Sequence, residues 1–307
     1  MHEPERFRLY YNQTIQPELR RLDKYRVRLL RLIFFSALVM LGVAALLMYL
    51  DVFVVALMAM IPFGIHISYL VYRVQKFVQA FKPKVVKLIL DFIDDGLLFG
   101  DLKYDAKGKV AFEKFRASSI FHTMPAIYKG EDFIEGRIGD IEFEMCELNV
   151  QEFSKVRERL DQVFRGVFIR AKAFHPLKGA LLVVPRRTLP DLSESIRMFV
   201  RHGGQNMDGF IRYDKFREVF TVYGSKNTRV TDVLPQELMD FMLGHFKRRG
   251  NIYFSFFDRN IYAAIANDKD ILEPKWFSSN VSFDLVREFY EDIDMALYVV
   301  IAIDRSH

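Results

Sequence analysis

From Leu32 to Val71 the chain runs for 40 residues with only two side chains that ionise near neutral pH, Asp51 and His66. A helix rises about 1.5 Å per residue and a bilayer core takes roughly 20 apolar residues to cross, so this run suffices for two crossings. Asp51 lies at its midpoint, where a tight turn leaves two spans, 32–50 and 52–72. The core helix of a soluble protein carries a polar stripe every three or four residues. Ser36, Gly42, His66 and Ser68 are too few and too scattered to make one. A cleaved signal peptide does not fit either, because a charged segment precedes a run far longer than an h-region. A re-entrant hairpin that enters the bilayer without crossing is the remaining alternative. The sequence therefore predicts a two-helix transmembrane hairpin.

Charge sets its orientation. Residues 1–31 carry eight Lys or Arg and four acids, and residues 73–87 carry Arg73, Lys76, Lys82, Lys84 and Lys87 with no acid. The turn at Asp51 has no basic residue. Lys and Arg close to a span favour the cytoplasmic side, so both termini are expected there, with Tyr49 at one interface and Tyr69 and Tyr72 at the other.

The same distribution argues against nucleic acid as a partner. The chain has a net charge of +5, but the membrane flanks account for all of it, and residues 88–307 carry −3. Basic residues in that place orient the hairpin and meet anionic lipid. No basic footprint is left for a soluble nucleic-acid surface. The single cysteine, Cys146, cannot form an internal disulfide, which agrees with a reducing compartment. Thirty Phe among 307 residues indicate a real core after the hairpin, not a disordered tail.

Five segments are expected. Residues 1–31 read as a basic lead-in helix interrupted at Pro17, with Leu19, Leu22, Tyr25, Val27 and Leu30 near helical spacing. Residues 32–72 form the hairpin, and 73–110 a juxtamembrane helix opened by Pro83, ended by Asp94-Asp95-Gly96, and a connector. Residues 111–187 and 188–307 then make two α+β modules with antiparallel strands. In the first, Phe112–Ser119 is helical. Ile138–Leu148 alternates as a strand, and Val163–Ala173 and Ala180–Val184 follow as strands around a turn at His175–Gly179. In the second, Leu192–Arg201 is helical and ends at Gly203-Gly204. A strand at Val219–Tyr223 leads to a helix from Pro235 to Lys247. A hairpin at Ile252–Phe257 and Asn260–Ala266 precedes a last helix from Phe283 to Asp304, whose apolar part is too short to span. The strand-turn-strand units 163–184 and 252–266 suggest paired modules.

Chemistry is sparse. A metal site needs His, Cys or carboxylates at short spacing, and no two of the seven histidines fall within four residues of each other. No metal and no cofactor is expected. There is no G-x-S-x-G, and Gly224-Ser225-Lys226-Asn227-Thr228 lacks the phosphate-loop spacing and reads as a turn. Cys146 reads as a small buried thiol in a strand. His66 is a candidate because an ionisable residue inside a span is functional by default, although a carbonyl freed by Pro62 could hold it instead. Asp94 and Asp95, and Glu131 and Asp132 with Glu135, are acid pairs of the kind that hold Mg²⁺ or move protons, against the commoner reading as solvated faces. His202, before Gly203-Gly204, is a candidate for a binding loop.

Several blocks together resemble one family. They include Gly130-Glu131-Asp132-Phe133-Ile134-Glu135-Gly136, Ile141-Glu142-Phe143, Val163-Phe164-Arg165-Gly166-Val167-Phe168-Ile169 and Val183-Val184-Pro185. Leu234-Pro235-Gln236-Glu237-Leu238-Met239, Ile252-Tyr253-Phe254-Ser255-Phe256 and Ile261-Tyr262-Ala263-Ala264-Ile265 continue the series. In this order they resemble the DUF3137 family of bacterial membrane proteins over roughly residues 85–303. The resemblance implies a bacterial inner membrane and two adjacent N-terminal spans. It implies no catalytic residues, because the family has no established activity. The expected function is a membrane-anchored cytoplasmic binding or scaffolding module, with a protein partner or a second copy of the chain. The alternatives are a membrane-bound enzyme at the bilayer surface and an accessory subunit of a transport assembly.

Overall fold

The computed structural model describes residues 4–94, 99–139, 141–154, 156–172, 179–248, 250–267, 278–279 and 281–304. The helices in chain order are α1 (Pro4–Tyr10), α2 (Gln16–Tyr49), α3 (Phe53–Ile93), α4 (Phe112–Ala117), α5 (Ser193–Arg201), α6 (Asp214–Val219), α7 (Val230–Val233), α8 (Gln236–Arg248) and α9 (Phe283–Asp304). The strands are β1 (Phe99–Asp105), β2 (Ile127–Ile138), β3 (Ile141–Ser154), β4 (Arg159–Lys172) and β5 (Leu181–Pro185). They continue with β6 (Gly204–Asn206), β7 (Phe220–Ser225), β8 (Ile252–Phe257) and β9 (Asn260–Ala266). The protein is thus α+β, with long apolar helices ahead of a mixed part. It divides into a helical unit, residues 2–92 and 272–290, and a sheet unit, residues 93–271 and 291–307.

In the helical unit α2 and α3 form a hairpin that turns at Asp51, whose φ of 55° is a conformation Asp tolerates better than most residues. Leu29, Leu70 and Val74 meet with Ile33 between the helices. Both helices are long and apolar enough to cross a bilayer, and their most apolar windows are almost unburied. Phe34, Phe35, Leu41, Phe53, Met58, Ile61 and Ile65 are between 59% and 72% exposed. One π-helical turn, Tyr11–Ile15, joins α1 to α2 with helical backbone at both junctions, and Pro17 sits in the first turn of α2. Phe7 stacks on Tyr290 at 4.0 Å and meets Phe92 edge-on at 5.3 Å, so the lead-in is packed by its aromatic side chains.

Two readings of this unit change. Pro83 does not open a new helix. α3 continues through both Pro62 and Pro83, because the buried stripe Phe77, Phe81, Val85, Val86 and Ile89 runs on across it. The face of α2 that is buried holds Leu22, Arg26 and Leu29, while Tyr25 is exposed. Arg26 can be buried because its guanidinium reaches Asp23 at 2.9 Å.

The sheet unit contains a nine-stranded antiparallel sheet in the order β1-β2-β3-β4-β9-β8-β5-β7-β6. β1 to β4 form a meander, after which the chain crosses over, so β4 and β5 are separated by β9 and β8. The strand-turn-strand reading of 163–184 therefore does not describe a hairpin. Most of its turn, 173–178, lies outside the described residues. β8 and β9 do pair as a hairpin, from Ile252↔Ile265 to Phe257↔Asn260. β5, β8 and β9 are buried almost throughout, as strands covered on both faces must be. One face packs Phe164, Phe168, Leu182, Val184, Tyr253 and Ala264 against Phe115 of α4, Phe121 and Leu192. On the other side of the same strands lie Ile169, Val183, Phe254 and Ile265, also buried. At Gly166, φ is +140° and a Cβ would come within 2.0 Å of the Ile265 carbonyl oxygen, so only glycine lets β4 approach β9 there.

Candidate functional site

The acidic candidates are placed by a defect in the sheet. β2 pairs with β3 directly from Ile127↔Gln151 to Glu131↔Glu147, then shifts register before Ile134↔Met145. Asp132 lies in this bulge with φ 56°, and its N–H donates to the Ala106 carbonyl at 3.3 Å. The bulge turns its carboxylate toward β1, where the Tyr104 hydroxyl donates to Oδ1 at 2.6 Å. Burial first, then this hydrogen bond and the Asp132 charge, push the Tyr104 phenol well above its ordinary value.

Register brings in a third acid. Glu147 faces Glu131 across the strands, and one carboxylate oxygen from each of Glu131, Asp132 and Glu147 lies within 4.8 Å of the others. Like charges directly opposite on a sheet are unfavourable unless something offsets them. The adjoining cavity, about 410 Å³, supplies Lys107, Lys109, Lys129 and Arg165 around Glu131 and Glu147. Gly130 permits the close approach of Lys109, whose Cβ would stand 2.6 Å from a Cβ at position 130. Three carboxylates could ligate a hard divalent cation. Here, however, positive side chains from three segments already line the same wall.

Other candidates do not join this group. Glu135 pairs with Lys103 at 3.6 Å on the surface. His202 caps the end of α5, with Nδ1 2.7 Å from the Met198 carbonyl oxygen, and is exposed. His66 is exposed on α3, and among the described residues no carbonyl near Pro62 holds it. Asp94 is exposed at the end of α3, and Asp95 lies outside the described residues. Cys146 is buried in β3 and accepts a hydrogen bond from the Val110 N–H at 3.2 Å; burial pushes its thiol up to about 12.

A second constellation lies in the helical unit. A cavity of about 370 Å³ opens between α2 and α3, lined by Arg21, Tyr25, Arg73, Lys76 and Lys84 over a floor of Leu22, Phe77 and Ala80. Arg73 Nη2 donates to the Tyr25 hydroxyl at 2.6 Å, and its guanidinium lies over the rings of Tyr25 and Tyr69 at 5.6 and 5.9 Å. Arg21 reaches the partly buried Glu18 at 3.4 Å. Among the described residues, Lys76 and Lys84 have no carboxylate partner. The flanks' charge was readable in the sequence, but their convergence depends on the antiparallel pairing of residues some 50 positions apart.

Fold and site together define an α+β protein with two long apolar helices and charged, water-accessible clefts. Residues 162–305 match the model of a family described as a protein of unknown function, DUF3137. The resemblance to DUF3137 is thereby shown over β4 to β9 and the helices among them, whereas the blocks at 130–148 and the apolar helices lie outside the matched residues. No curated protein matches the chain. A crystal structure of the mycobacterial trehalose monomycolate transport factor A, TtfA, is similar at a TM-score of 0.31 and 8% identity. That likeness covers 63% of this chain and 88% of the other, and carries no argument at this level.

Proposed function

We propose that this chain is an integral protein of a bacterial inner membrane, with both termini in the cytoplasm, whose sheet unit serves as a binding or scaffolding module. The observation that carries the anchor is the exposure of the apolar faces of α2 and α3, with Phe34 at 72% and Ile65 at 67%. Transferring such a side chain out of water is worth about 2 kcal/mol, so the run as a whole needs an apolar solvent. Basic residues on both flanks and none at the turn support the orientation. The binding role is supported by cleft chemistry: Lys107, Lys109, Lys129 and Arg165 with Glu131 and Glu147 line one cavity, and Arg21, Arg73, Lys76 and Lys84 another, charged surface that can hold a partner of complementary charge.

Topology is tested in whole cells with the full chain. Cys146 is buried and its thiol is held protonated, so cysteines introduced one at a time report on their own positions. Asp51→Cys is expected to react with a membrane-impermeant maleimide from outside, and Lys226→Cys only after lysis. Extraction of the protein by alkaline carbonate would overturn the anchor reading, and the reverse labelling pattern would overturn the orientation.

A further inference from the structure

We propose that the cleft between α2 and α3 is a binding site for a phosphate group carried on an anionic membrane lipid. The proposal rests on the anchor reading above and gives that hairpin a ligand. Four basic side chains, Arg21, Arg73, Lys76 and Lys84, converge on one cavity from two helices, with no acid among its lining residues. Arg73 is preset: the Tyr25 hydroxyl accepts its Nη2 at 2.6 Å, and the rings of Tyr25 and Tyr69 lie beneath it. Having accepted that bond, the Tyr25 hydroxyl still has its own proton to donate to a phosphate oxygen. Guanidinium groups suit phosphate because their fork of donors matches two of its oxygens.

Depth identifies the carrier. Arg73 follows directly on the apolar run of α3, and Tyr25 precedes Leu32 by seven residues, roughly 10 Å along α2. Headgroups add roughly 5 to 7 Å on each side of the hydrocarbon core, so Arg73 and Lys76, within about 6 Å of Tyr72 along α3, sit at their level, while Tyr25 and Lys84 reach in from the water side. Side chains on a helix lean toward its N-terminus, so Lys76 and Lys84 of α3 are aimed back toward the membrane. The floor of Leu22, Phe77 and Ala80 offers apolar surface that a free phosphate cannot use and a glycerol backbone can. A volume of about 370 Å³ holds more than one phosphate group.

The test uses the full chain in nanodiscs of phosphatidylcholine, with or without a minor fraction of phosphatidylglycerol, and counts retained lipids by native mass spectrometry. Wild type is expected to retain phosphatidylglycerol in preference to phosphatidylcholine. Each basic group near a surface contributes roughly fivefold, so R73Q/K76Q should lose roughly 25-fold of that preference. K76Q/K84Q leaves the Arg73–Tyr25 contact intact and should show a similar loss, which separates binding from folding of the hairpin. K226Q/R229Q, on the sheet unit, should retain the preference and controls for total charge. No preference in wild type, or an unchanged preference in both cleft variants, overturns the proposal. Equal occupancy by inorganic phosphate in phosphatidylcholine discs would also overturn it, in favour of a soluble ligand. A protein that proves integral yet shows no headgroup preference fails here without failing the anchor reading.

Discussion

The Tyr104 hydroxyl donates a 2.6 Å hydrogen bond to Oδ1 of Asp132, tying β1 to the bulge of β2. The phenol is kept protonated chiefly by burial and then by the carboxylate it serves. Its ionisation is held above the unfolded value of 10.0, so the contribution is whole below that pH and is lost as pH rises beyond it. Tyr104→Phe is expected to lower stability by about 2 kcal/mol near neutrality, since it leaves a buried carboxylate short of a donor. It should also flatten the alkaline decline. Denaturant titrations of the detergent-solubilised chain at several pH values check both, and an unchanged alkaline slope would count against the assignment.

Gly166 tests the seam between β4 and β9. An alanine there meets the Ile265 carbonyl oxygen at 2.0 Å and the Asn267 nitrogen at 2.6 Å, in a backbone conformation L-residues avoid. Gly166→Ala is expected to cost about 3 kcal/mol or more, from overpacking added to backbone strain. A melting temperature equal to wild type would sink this account.

Cys146 should be chemically silent in the native chain. Its thiol is buried and accepts from the Val110 N–H, with ionisation raised from 9.0 to about 12. Maleimide is expected to label it only after denaturation, because the thiolate is the nucleophile. The stability this protonated thiol confers is complete below pH 9.0 and declines as pH climbs toward about 12. Cys146→Ala should remove that share of the alkaline loss; rapid native labelling at pH 8 would contradict the burial.

The tip of the β3–β4 hairpin should behave as surface. Val156 is 95% exposed and Phe153 52% exposed, while Phe168 in the body of β4 is fully buried. Val156→Lys should change stability by no more than about 0.5 kcal/mol, whereas Phe168→Ala should cost about 3–5 kcal/mol. Comparable losses in the two variants would mean that the tip is covered.

How much of this was legible in the sequence depended on whether local pattern and tertiary packing agreed. β4, β7, the β8–β9 hairpin and α8 announce themselves by alternation, apolar runs or caps, and the structure places them within a few residues; β3 is read at 138–148 but runs Ile141–Ser154, and the helices of the apolar hairpin extend well past the apolar run, to Gln16 and Ile93. β1 and β2 do not announce themselves, because their register shifts at Gly100/Lys103 and Glu131/Ile134 break the alternation on which strand reading depends. Pro83 misleads because proline usually marks a helix start, yet the stripe from Phe77 to Ile89 outweighs it. Glu131 and Asp132 were visible as a local acid pair. Glu147 was not, because only strand register, with no fixed sequence spacing, brings it opposite Glu131. Arg73, Lys76 and Tyr25 likewise needed the hairpin pairing before they could be seen as one cleft.

α3 spans 41 residues without interruption, which at about 1.5 Å per residue makes a rod near 60 Å long. A bilayer core takes up only about half of that length. The rest, residues 73–93, is a spacer of about 30 Å, so whatever follows Ile93 begins a fixed distance from the last apolar turn of the helix.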